Sequence, residues 1–223
     1  MTFHPFGATI GNLSPPLSVA NGGTGATTAA AAVTALGAVP ASDQSWGPAD
    51  QGLLAWSGDL PATAQGASAV LATAGTLYTI AVKVPVAISV TNIVMGLQTN
   101  GSVLTSGQCF AALFQGFAGA RIGVTADQAT AWGSGAAKTL TMALSGGPFA
   151  VAAGIVIVGV WFNGTTGPGF FRGGNVSALM NAGLADAASR WGTANTGLTT
   201  TAPATLGTVT ATGVVAGYWA GLS

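Results

Sequence analysis

Residues 149–162 read FAVAAGIVIVGVWF, a run without one polar side chain, and few structures can accommodate it. A helix that crosses a bilayer needs roughly 20 apolar residues, and this run is shorter. Gly146-Gly147-Pro148 precedes it, Asn163-Gly164 follows it, and no cluster of cations flanks it. Its centre, Ile155-Val156-Ile157-Val158, is β-branched, and such side chains favour extended backbone over helix. A buried strand is therefore expected here, and membrane insertion is not.

Similar signals recur from residue 77 onward. Residues 77–84, LYTIAVKV, alternate two sets: Leu77, Thr79, Ala81 and Lys83 against Tyr78, Ile80, Val82 and Val84. Further strand runs fall at 86–97, 109–115, 120–124, 138–144, 155–162 and 209–219. Asn100-Gly101, Gly133-Ser134-Gly135 and Gly173-Gly174-Asn175 mark turns between them. Residues 176–188 hold Leu179, Met180 and Leu184 but also Gly183, which predicts a loop or short turn. Short strands, Gly-rich turns and no long helical period predict an all-β fold, a jelly-roll-like β-sandwich. Its expected core is Ile80, Val82, Val90, Ile93, Leu113, Phe114, Ile155, Ile157 and Val160.

Composition divides the chain further. Residues 1–45 are rich in Gly, Ala, Thr and Pro and hold too few large apolar groups to build a core. They are expected to form an extended arm. Residues 46–75, with Trp46 and Trp56, read as a transition segment, and 76–223 as the sandwich. The first eleven residues lack Lys, Arg and a long apolar stretch, so a secretory signal is not expected.

Charge narrows the function. Five basic residues face five aspartates, glutamate is absent, and only 4% of the chain is charged. A surface this neutral favours association, because net charge keeps proteins apart. No basic stripe exists, so nucleic acid is not an expected partner. His4 is the only histidine and lies in the arm. The lone Cys109 therefore lacks a histidine partner in the sandwich, and it reads as a small buried hydrophobe. Asp127 and Asp186 are the only acids of the sandwich. Asp127 reads as a turn residue or cap, and Asp186 as the local ion-pair partner of Arg190. No metal-binding spacing occurs, and no cofactor is expected. Trp161 and Trp219 lie in apolar strands and are expected in the core. Trp132 and Trp191 sit beside Gly and Ser in loops, and they are the candidate glycan contacts.

Residues 17–39 read LSVANGGTGATTAAAAVTALGAV. Thr27 or Thr28 can cap a short Ala-rich helix over residues 29–36, and Gly37 can stop it. Small residues let backbones approach closely about a symmetry axis. The segment resembles a motif of phage tail-fibre proteins: a glycine-rich GGTGAT sequence, an alanine-rich helix and a closing Leu-Gly. Val33 departs from it, since many members carry a basic residue there. Residues 75–223 resemble the β-sandwich tip domains of virion proteins from phages of actinobacteria, through GQCFAAL at 107–113 and TTTAPATLG at 199–207.

These resemblances imply a non-enzymatic virion structural protein on the particle surface, assembled in the host cytoplasm. Its expected form is a homotrimeric fibre or spike, attached by its arm to other virion proteins, with the β domain outward and able to contact host-surface glycan. Gly22, Gly23, Thr24, Gly25, Val33 and Leu36 are the expected oligomerisation and attachment residues. A capsid decoration protein on the phage head is the alternative. A glycan-cleaving tailspike, using Asp127 and Asp186, is the remote one.

Overall fold

The computed structural model describes residues 26–28, 31–32, 35–36, 47–58, 69–173, 181–211 and 216–223. The chain divides into two compact units, Met1–Trp46 and Gly47–Ser223. In the first, Thr28 Oγ1 accepts the Ala31 N–H at 3.1 Å. The N–H groups of Ala32 and Leu36 donate to the carbonyls of Thr28 and Ala32. This is a capped helical turn of the expected kind. Leu36 is 66% exposed. Gly22, Gly23, Thr24, Gly25, Val33 and Gly37 lie outside the described residues.

The second unit is all-β. Its strands begin with β1 (Ala55–Trp56), β2 (Ala69–Val70), β3 (Leu77–Val84), β4 (Ile88–Val90) and β5 (Asn92–Thr99). Next come β6 (Ser102–Leu104), β7 (Phe110–Phe114), β8 (Arg121–Val124), β9 (Lys138–Ala143) and β10 (Phe149–Val151). The last are β11 (Gly154–Trp161), β12 (Gly164–Thr166), β13 (Gly169–Phe170), β14 (Trp191–Ala194) and β15 (Gly221–Leu222). One antiparallel sheet has the order β14-β3-β11-β7-β8. The other is centred on β5, with β9 along one edge and both β15 and β13 along the other. β1 extends β15 and β2 extends β13. Two further ladders join β4 to β10 and β6 to β12.

The two sheets enclose the main core. Tyr78, Ile80, Val82 and Val84 of β3 and Val156, Val158 and Val160 of β11 pack in one cluster with Ile93, Met95 and Leu97 of β5. The opposite face of β3, β7 and β11 carries Leu77, Phe114, Ile157 and Trp161, and it is buried too. Ala202, Leu206 and Val209, from a strap at residues 198–209, cover it. Burial on both faces explains the unbroken apolar run of β11, since a strand with one wet face would alternate. Gly159 sits where a Cβ would lie 2.8 Å from Leu77 and 3.1 Å from Phe114. A larger residue there would make Leu77 shift, so glycine lets those two side chains close over the strand as they do.

Arg121 ties down the strap. Its Nη1 donates to the carbonyls of Ala202 and Pro203, and its backbone N–H donates to Ala204 O at 2.9 Å.

Several expectations need correction. The sandwich begins at Gly47, because the supposed transition segment supplies β1 and β2 and buries Leu53, Ala55 and Leu71. Residues 86–97 form two strands, β4 and β5, with Thr91 between them. Residues 209–219 are not one strand: Thr210 bridges Thr193 and Tyr218 bridges Arg172, and residues 212–215 lie outside the description. Ile155 is 37% exposed because the strap stops short of that end of β11. The 176–188 segment needs no correction: its described part, 181–188, holds a short 3-10 turn at Asp186–Ala188, in line with the expected loop or short turn.

Candidate functional site

Where the strap ends, the outer face of the first sheet opens into a groove of about 810 Å³. Ala81 and Lys83 of β3 and Ile155 of β11 line it, and Ile155 and Lys83 are directly paired across the ladder. Trp56, Ser57 and Gly58 at the end of β1 line it as well, with Phe117, Leu184 and Arg190. Ile155 and Leu184, 37% and 44% exposed, are large apolar side chains held at the surface.

Backbone ladders hold Ile155 and Lys83; on the Leu184 side a buried amide, Asn181, acts together with the Ala81 N–H, which donates to Arg190 O at 2.7 Å, and the Leu184 N–H, which donates to Asn181 O at 2.9 Å. Asn181 Oδ1 accepts the N–H of Arg190 at 2.8 Å and of Trp191 at 3.3 Å, and its Nδ2 donates to Trp191 O at 2.7 Å. Asn181 thus pins the loop 181–190 to β14. No periodic pattern marks an asparagine for this role, so the sequence offered no signal for it.

Arg190 is fixed just as firmly. Its Nη2 donates to Ser57 O at 2.8 Å, and its guanidinium lies 4.5 Å from the centroid of the Trp191 ring. Stacking on the ring holds the cation in place. The local Asp186–Arg190 pair expected from spacing is therefore replaced by a carbonyl contact and a ring contact. Lys83 is exposed, and its ammonium has no hydrogen-bond or ion-pair partner among the described residues.

Of the six tryptophans, the four from Trp132 onward separate clearly. Trp132 is fully buried, edge-on to Phe170 at 5.4 Å between centroids. It offers no open face to a sugar, which removes it as a glycan contact. It lies at the end of the one-turn helix Ala129–Trp132, whose side chain reaches inward between the sheets. Trp191 is half-buried, one face under Arg190 and its Nε1 bonded to Tyr218 O at 2.9 Å. Trp161 and Trp219 are buried, as expected.

The reactive side chains are engaged in structure. Cys109 is fully buried, with its Sγ 3.7 Å from the carbonyls of Thr105 and Asn163. Burial pushes its thiol above the ordinary range, and the nearby Asp127 adds to that, while the bond to Asn163 opposes it. Asp127 Oδ1 accepts the N–H of Cys109 at 3.0 Å, and the two residues lie 18 apart in the chain, so Asp127 ties two segments together where a local turn or cap contact was expected. Among the described residues no three His, Cys, Asp or Glu side chains cluster as metal ligands, and no helix is long and apolar enough to cross a membrane.

No protein-family model matches the chain, and no curated protein matches it either.

Proposed function

We propose that the chain is a non-enzymatic structural protein of a bacteriophage particle, assembled as a homotrimer of the fibre or spike type. The observation that carries this reading is the division of the chain at Trp46 and Gly47. The fibre-like Gly/Ala segment falls in one unit, and the other unit has a core of its own. In this reading the first unit attaches and joins copies, while the β unit faces outward. Few charges suit a protein whose surface is covered largely by neighbours. The groove beside Arg190 is the surface the β unit would present to a host ligand.

Attachment tests the division of labour. Particles lacking the protein should take up the full chain and should not take up residues 47–223 alone. Equal uptake of both would sink the proposal. Electron microscopy of intact particles then separates a tail fibre from the alternative, decoration of the head.

A further inference from the structure

We propose that the groove is a binding site for an amphiphilic carboxylate, a ligand with a single apolar chain ending in one carboxylate. Its volume, about 810 Å³, lies within the ordinary range of small-molecule sites. The apolar part of the ligand has Ile155 and Leu184 to cover; Ile155 is held in the β11–β3 ladder, and the Leu184 N–H donates to Asn181 O at 2.9 Å. Covering them removes apolar area from water, which the fold leaves exposed.

The charged part has two cations. Of the five basic residues in the chain, Lys83 and Arg190 both line this groove. Arg190 is oriented by Ser57 O and the Trp191 ring, and its remaining N–H groups have no partner among the described residues. A guanidinium held in place suits a carboxylate, whose two oxygens match its fork. The described lining residues include no carboxylate to neutralise either cation.

Neutral sugars fit the groove less well. Among the described lining residues, Ser57 and the indole N–H of Trp56 are the only polar side-chain groups besides the two cations; Ser57 is buried, and its Oγ already accepts the Ala220 N–H at 3.1 Å. A sugar ring bound there would leave most of its hydroxyls without partners, which costs affinity. This assignment does not depend on where the protein sits on a particle.

Calorimetric titration of the full chain tests it, with octanoate, octanol and octylammonium as probes. Octanoate should bind at one saturable site. Octanol should bind at least about tenfold more weakly, since it lacks the charge-assisted bonds, and octylammonium should not bind. Lys83→Gln alters an exposed side chain, so the fold should survive, as an unchanged thermal melt would show. It should weaken octanoate about tenfold and leave octanol unchanged. Arg190→Lys, which keeps the charge but loses the fork, should weaken octanoate too. Any of four results would overturn the assignment: octanol equal to octanoate, octanoate unaffected by Lys83→Gln, no saturable binding, or a change in oligomeric mass in Lys83→Gln. The last would mean that a second copy occupies the groove.

Discussion

Tyr218 shows how one residue couples the core to solution conditions. Its ring stands edge-on to Tyr78 at 6.2 Å and to Phe170 at 6.4 Å between centroids. Burial pushes its phenol far above the ordinary value of 10.0, and Tyr78 adds to the shift. Cys109 is raised from its ordinary 9.0 for the same main reason. Both groups ionise more readily in the unfolded chain than in the folded one. The unfolded state therefore binds fewer protons at alkaline pH, and stability falls as pH rises. Their contribution is fully present below 9.0 and fades progressively above it, first through Cys109 and then, above 10.0, through Tyr218. Urea melts across the alkaline range should show this decline, and the double variant Cys109→Ala, Tyr218→Phe should flatten it. An undiminished decline in that variant would assign it to other groups.

The strap at 198–209 is the element on which the first sheet depends. It has no regular secondary structure, yet Ala202, Leu206 and Val209 seal Phe114, Ile157 and Trp161 from water. Trp161 Nε1 in turn donates to Thr199 O at 3.2 Å. Arg121 is the link between β8 and the strap, through a charged donor on two carbonyls. Hydrogen bonds from charged groups contribute about 1.5–3 kcal/mol each. Arg121→Leu should thus destabilise the β unit by about 2 kcal/mol, read from a denaturant midpoint. Trp161 should also become more accessible to a fluorescence quencher. A variant with the parent's midpoint would show that packing alone holds the strap.

For the whole molecule, the limits of the β unit are the testable quantity. A chain beginning at Gly47 keeps β1, β2 and the buried Leu53, Ala55 and Leu71. One beginning at Gly75 loses all of them. Leu71 is fully buried in the main core, and removing a buried leucine side chain typically costs 2–5 kcal/mol. The shorter chain should therefore melt well below the longer one, or fail to fold. Circular dichroism melts of the two decide the point, and equal midpoints would return residues 47–75 to the role of a linker.

The sequence by itself determined the class of the fold and most strand positions. The period-two pattern at 77–84 separates Tyr78, Ile80, Val82 and Val84 from Leu77 and Ala81, and these sets do occupy opposite faces of one sheet. Alternation is a local property, so local sequence carries it. Which faces end up dry is not local. The strap that buries the second face lies far along the chain, and its residues show no period. Trp132 reads as a loop residue by its neighbours, yet Phe170 closes over it from β13. Ile155 belongs to the most apolar run of the chain, yet it lies at the surface because the strap ends before it. The groove was illegible for the same reason. It gathers Trp56, Lys83, Ile155 and Arg190 from four separate stretches, and a buried amide, Asn181, helps to hold one side in place. Convergence of that kind depends on long-range register and packing, and only the tertiary structure decides it.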